Sequence, residues 1–186
     1  MITGRGEDNR RLFFALWPGA HTTEQLADLQ RDLHLAGRPV SPGNLHITLI
    51  FIGSVDAQCA RCLHSAAGAV IFPQFSLSLD SLGYFSRPKV CWVGPGRMPP
   101  ALNSLRRDLL RQLQTCGYGS DTRSSPAHFS PHVSLARKSA PLEARPFASI
   151  PWRVKDFALV ESRSTSAGVE YHLLERYPAL EAARGR

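Results

Sequence analysis

Apolar and polar positions divide the chain into an ordered alternation of strands and helices. After ten mostly polar residues, Leu12 to Trp17 is almost wholly apolar and predicts a first strand. Thr22 or Thr23 then stands where a helix N-cap belongs, ahead of Leu26, Leu29 and Leu33 at helical spacing. Gly37 to Gly43 reads as a turn, residues 44–52 as a second strand and Asp56 to Ala69 as a second helix. Phe75, Leu77 and Leu79 alternate with Ser76, Ser78 and Asp80, the pattern of a half-buried strand, with Lys89 to Val93 as its expected hairpin partner. Leu102, Leu105, Leu109 and Leu113 mark a third helix; Arg106, Arg107 and Arg111 lie off that stripe and are expected in solvent. Trp152 to Ser162 and Tyr171 to Leu174 read as two last strands that turn at Gly168. The chain thus reads as two similar halves, each with a helix-rich segment and a histidine-bearing strand.

One short pattern occurs in both halves: His46-Ile47-Thr48-Leu49 and His132-Val133-Ser134-Leu135. Successive side chains of a strand point to opposite faces, so His46 and Thr48 share one face while Leu45, Ile47, Leu49 and Phe51 are expected on the other. His132 and Ser134 share a face in the same way. An imidazole changes charge near neutral pH, and a hydroxyl two residues on can donate a hydrogen bond to a phosphoryl oxygen. With seven histidines, one such tetrad arises by chance in roughly one chain in six and two in about one in a hundred, so the pair carries weight that neither copy has alone.

The flanks add a resemblance. Asn44-Leu45-His46-Ile47-Thr48-Leu49-Ile50-Phe51-Ile52-Gly53 and Phe129-Ser130-Pro131-His132-Val133-Ser134-Leu135-Ala136-Arg137 resemble the two signature segments of the two-histidine (2H) phosphoesterases. Within them the likeness is to the bacterial and archaeal RNA 2′,3′-cyclic phosphodiesterases, also called 2′-5′ RNA ligases. Arg11-Leu12-Phe13-Phe14-Ala15, Gly37-Arg38-Pro39-Val40 and Val90-Cys91-Trp92-Val93-Gly94 extend it from about Arg11 to Pro178. It implies an α+β, bilobal fold: two antiparallel sheets facing across a groove, helices outside, one motif from each lobe. Residues 11–178 would form that single domain, with 1–10 and 179–186 as tails.

Opening a 2′,3′-cyclic phosphate in line needs a base on one side of phosphorus and an acid on the other, which one histidine cannot supply. The residues leave the assignment open. The resemblance makes His46 the proton donor and His132 the acceptor, with O3′ leaving and a 2′-phosphate as product. Thr48 and Ser134 would hold the non-bridging oxygens. With a 5′-hydroxyl in place of water, the same groups would form a 2′-5′ linkage without ATP. Arg137 matches the family's arginine after the second histidine, yet strict alternation puts it on the face opposite His132. Phe13 is a candidate base-stacking residue by resemblance, with core packing as the plainer reading. Ser134 stands where the family more often has threonine, losing the methyl that stiffens the rotamer.

Composition agrees with this picture. The 22 Lys and Arg against 15 Asp and Glu give a net charge of +7, which favours a polyanionic partner by electrostatic steering. The expected partner is RNA or a nucleotide ending in a 2′,3′-cyclic phosphate. No cofactor, metal, membrane or obligate protein partner is implied, and the expectation is a cytoplasmic monomer. Two other readings stay open: a nucleotide or RNA-end binding module with little turnover, and a phosphodiesterase for another cyclic phosphate or a 2′-5′-linked oligonucleotide. Cys59 and Cys62 form a C-x-x-C pair near His64, but no second pair follows, so all four cysteines are expected as free thiols in a reducing compartment rather than zinc ligands. His128 and His132 stand four apart, with Pro131 between them disfavouring a metal-binding helix face. Asn9-Arg10-Arg11 looks superficially like a twin-arginine signal, but the apolar run after it ends at Trp17-Pro18-Gly19, too soon for a signal core.

Overall fold

The computed structural model describes residues 9–118, 129–143, 145–166 and 168–181; His128 lies outside them. The strands are β1 (Arg10–Leu16), β2 (Arg38–Pro39), β3 (Ile47–Val55), β4 (Phe75–Leu79), β5 (Ser81–Phe85), β6 (Val90–Gly94), β7 (Val133–Arg137), β8 (Ile150–Val154), β9 (Asp156–Thr165) and β10 (Gly168–Pro178). The helices are α1 (Ala20–Leu33), α2 (Ala57–Gly68) and α3 (Pro100–Leu113). The class is α+β with antiparallel pairing, as the sequence implies. An eight-stranded sheet runs in the order β10-β9-β1-β3-β7-β6-β5, with β2 beside β7, and β4 pairs with β8 in a second sheet. The two histidine-bearing halves meet at a narrow seam, the pair Ile47↔Val133 between β3 and β7.

The apolar run of β1 lacks alternation because both of its faces are covered. Leu12, Phe14 and Leu16 join the main core with Leu26, Leu63 and Leu105 of the helices, while Phe13 and Ala15 pack on the other face with Ala158 and Val160 of β9. The helices therefore sit on the first face and leave the second for a groove.

Several expectations need correction. Helix α1 starts at a Gly19 N-cap, because the Thr23 hydroxyl donates back to the Gly19 carbonyl at 3.0 Å and is not available as a cap acceptor. Asp56 does cap α2, accepting from the Cys59 amide at 2.7 Å. Strand β6 pairs with β5, not β4: the Asp80 amide bonds to Gly94 O at 3.1 Å and its carboxylate to the Gly96 amide at 2.6 Å, pinning a corner that sends β4 to the second sheet. The run read as one strand from Trp152 to Ser162 is two, β8 and β9, in different sheets. Residues 179 and 180 are tied in, Ala179 N to Lys155 O and Leu180 N to Phe72 O, both at 2.8 Å. Arg106 is 4% exposed rather than solvated.

The cysteines also depart from expectation. Cys62 on α2 and Cys116, in the 3-10 turn after α3, form a disulfide across 54 positions of sequence, leaving Cys59 and Cys91 free. The packing of α2 on α3 brings them together, which no local spacing announces, and disulfides are uncommon in cytosolic proteins. Among the described residues no helix is long and apolar enough to cross a membrane. Thiol titration in denaturant without reductant should count only Cys59 and Cys91, and reduction should expose the other pair and lower thermal stability, since a crosslink of this span contributes roughly 2–4 kcal/mol. Four thiols before reduction would contradict the pairing.

Candidate active site

Leu45 and His46 follow a 3-10 turn at residues 42–44, and β3 begins at Ile47; His132 likewise stands just before β7. Because Ile47 opposes Val133 in antiparallel sense, His46 comes level with Ser134 and Thr48 with His132. The two imidazoles are then diagonal neighbours, a relation that spaces residues roughly 7–8 Å apart in an antiparallel ladder, with their Cβ atoms somewhat closer. Gly94 keeps this approach open, since a Cβ there would stand 2.5 Å from the Pro131 carbonyl oxygen.

Each histidine is held in the same way. His46 Nδ1 lies 2.7 Å from Asn44 O and His132 Nδ1 2.8 Å from Ser130 O, in both cases the carbonyl two residues back. A carbonyl only accepts, so in each ring Nδ1 carries the proton and Nε2 is the atom left to titrate. Thr48 Oγ1 lies 3.1 Å from His46 Nε2 and donates to it.

Aromatic rings surround both imidazoles. Trp17 stacks on His46 with centroids 5.2 Å apart and planes at 7°, Tyr171 meets it edge-on at 5.2 Å, and Phe13 lies at 5.0 Å. Phe85 meets His132 edge-on at 4.9 Å and Trp92 lies at 6.2 Å. Burial pushes the His46 pKa down to about 4; the Asn44 carbonyl opposes this, and the positive charges of Arg137 and His132 add to it. Burial lowers His132 too, with Ser130 O opposing and Arg137 adding.

The sequence left Arg137 and Phe51 on the wrong face, for one physical reason. Both motif strands carry a β-bulge at the fourth motif residue. On β7, Ser134 pairs with Trp92 and Ala136 with Cys91, leaving Leu135 extra; on β3, Thr48 pairs with Ala15 and Ile50 with Phe14, leaving Leu49 extra. Leu49 and Ile50 are consequently both buried, as are Leu135 and Ala136. The alternation resets, and the next residue, Phe51 or Arg137, emerges on the histidine face. Arg137 lines a groove of about 480 Å³ with His46, Thr48 and Phe51. Arg11 and Arg38 also line it, as does Lys138.

Phe51 is 49% exposed, with the Arg11 guanidinium 5.0 Å above its ring centroid, whereas Phe13 is 3% exposed and serves as a wall behind His46. Among the described residues no cluster of three or more His, Cys, Asp or Glu could hold a metal ion, and Cys62 of the C-x-x-C pair is taken by its disulfide. The sequence reading passed over Trp17 and Tyr171 as functional candidates. Trp17 adjoins the first strand and was recognisable as an aromatic at its end; nothing local ties Tyr171 of β10 to His46.

Residues 18–165 match the model of the 2′-5′ RNA ligase superfamily. The chain belongs to this superfamily. It is 34% identical over 173 residues to an RNA 2′,3′-cyclic phosphodiesterase of Escherichia coli K12, covering 90% of this chain and 96% of that one. The Thermotoga maritima protein of the same name is 31% identical, over 88% and 92% of the two chains. The crystal structure of E. coli LigT complexed with 3′-AMP superimposes with a TM-score of 0.81 at 31% identity, covering 92% of this chain and 99% of that one.

For this superfamily member the buried imidazoles have a measurable signature. In an NMR titration, His46 should stay neutral down to about pH 4 and its midpoint should rise when inorganic phosphate is added. The unfolded imidazole protonates near pH 6.5, so this group's contribution to stability is present above about pH 6.5 and is lost as pH falls toward 4. A free-protein midpoint near 6.5, unmoved by phosphate, would contradict the described burial.

Proposed function

We propose that the chain is an RNA 2′,3′-cyclic phosphodiesterase that opens the terminal cyclic phosphate to a 2′-phosphate by two-histidine acid-base catalysis. The observation that carries the reading is the matched pair of imidazoles, each with Nδ1–H fixed on a carbonyl and Nε2 left as the titrating atom, on diagonal positions of one seam. Its membership of the superfamily and the names of its relatives support the choice of substrate.

His132 Nε2 takes a proton from the attacking water, and His46 Nε2–H gives one to the departing O3′ on the opposite side of phosphorus. A donor with a pKa pushed down to about 4 in the free protein is neutral at pH 7, so the substrate itself promotes its protonation: the phosphate anion raises the pKa of the imidazole it approaches. Thr48 turns its hydroxyl from His46 Nε2 toward a non-bridging oxygen, and Ser134 takes the other. Arg137 pairs with the phosphate charge. A 5′-hydroxyl in place of water makes the same path a 2′-5′ ligation without ATP.

The exposed face of Phe51, backed by Arg11, receives a base; Phe13 has too little free surface for that and holds His46 in place. The enzyme acts on RNA as a monomer, without a cofactor.

The test is an RNA oligonucleotide ending in a 2′,3′-cyclic phosphate, incubated with the protein in EDTA, with 2′- and 3′-phosphate products resolved. The expected result is a 2′-phosphate, with loss of turnover of at least about 100-fold in both His46→Ala and His132→Ala. Phe51→Ala should raise KM by about 5- to 150-fold, the range of one lost base stack. RNA binding without turnover would move the chain to the end-binding reading, and a 3′-phosphate product would exclude the assigned leaving group.

A further inference from the structure

Helix α3 carries a buried cation where its apolar stripe would suit another leucine. Arg106 is 4% exposed and flanked by the fully buried Leu105 and Leu109. Its Nε donates to the Leu49 carbonyl at 3.0 Å, and its guanidinium lies 4.5 Å from the ring centroid of Phe129. Both contacts fall on the histidine-bearing segments. Leu49 is the bulged residue of the first motif, three positions after His46, and Phe129 immediately precedes Ser130, whose carbonyl fixes His132 Nδ1. Close by, the Tyr118 hydroxyl donates to the Phe51 carbonyl, so two carbonyls of β3 are met by side chains from α3 and the turn after it.

Burying a guanidinium is costly unless hydrogen bonds repay the lost water, so packing alone is a poor reason for an arginine here. The seam supplies a better one. Strands β3 and β7 pair directly at Ile47↔Val133, and β2 holds the far end of β7 through Arg38↔Arg137 and Pro39↔Ala136, but neither contact reaches the segment from Phe129 to Pro131 that leads into His132. A tie on that segment adds a restraint the strand pairs lack. We propose that Arg106 is a positioning residue: its planar guanidinium spans from the first motif to the approach of the second and fixes how the two imidazoles face one another. This rests on the two-histidine phosphodiesterase reading.

The test compares Arg106→Met, Arg106→Lys and Phe129→Leu with Leu102→Ala, a change at a fully buried apolar position on the same helix. Each is assayed for kcat and KM on the cyclic-phosphate RNA, for Tm, and for the NMR midpoint of His46. Arg106→Met should lower kcat by about 10- to 100-fold, as misplacement of reacting groups by an ångström does, with KM changed less than about threefold. Arg106→Lys keeps a donor but not the flat surface, so it and Phe129→Leu should fall between wild type and Arg106→Met. Leu102→Ala should lose stability and keep kcat. In the Arg106 variants the His46 midpoint should move up from about 4, because its depression depends on burial and on the nearness of Arg137 and His132.

The proposal is overturned if kcat simply follows Tm across all four variants, or if Arg106→Met keeps kcat. Should Arg106→Met not fold, unchanged kcat in Arg106→Lys and Phe129→Leu would overturn it equally. An inactive wild type would sink the phosphodiesterase reading instead, and the His46 midpoint would then decide the positioning role alone: unmoved in the variants, it rules that role out.

Discussion

The site hangs on a single strand pair, Ile47 opposite Val133, both fully buried. Each of these residues sits between a histidine and a hydroxyl in its own chain segment. Antiparallel pairing relates the segments by a local two-fold, so the imidazole of one stands level with the hydroxyl of the other. Two imidazoles and two hydroxyls thereby meet at one seam, His46 and Thr48 lining the groove, and the apolar side chains that anchor them point the other way into the main core. A one-residue slip of this register would turn a motif to the wrong face, and the shared core opposes it.

The surroundings of the histidines determine what that convergence can do. Rings of Trp17, Tyr171 and Phe13 on one side and of Phe85 and Trp92 on the other crowd half-buried imidazoles whose orientation is already fixed by Asn44 O and Ser130 O. Such burial favours the neutral ring, which suits a base and disfavours an acid. A basic groove resolves the conflict. Arg11, Arg38, Arg137 and Lys138 line the groove, and an anion bound there would favour the protonated imidazole. In the proposed reaction it is the substrate's charge that would set the acid apart from the base.

The tetrads were legible because they combine a strand period with side-chain chemistry, both of which are local. The main helices and most strands followed from apolar spacing for the same reason. What sequence did not disclose is non-local. The bulges at Leu49 and Leu135 depend on pairing with β1 and β6, although the adjacent apolar pairs Leu49-Ile50 and Leu135-Ala136 are their trace in the sequence. Arg106 looked like an ordinary exposed charge until packing turned it toward Leu49 and Phe129. The Cys62–Cys116 bond and the contact of Tyr171 with His46 each join distant segments, and no periodicity encodes them.

The central claim is that the two histidines act from opposite sides of phosphorus in one displacement. The most direct measurement is the stereochemical course of hydrolysis of a chiral 2′,3′-cyclic phosphorothioate in isotopically labelled water. In-line attack by a water that His132 activates, with His46 behind the leaving oxygen, predicts inversion at phosphorus. Retention would mean two successive displacements through a covalent intermediate, and would contradict a division of labour between two proton-transfer groups.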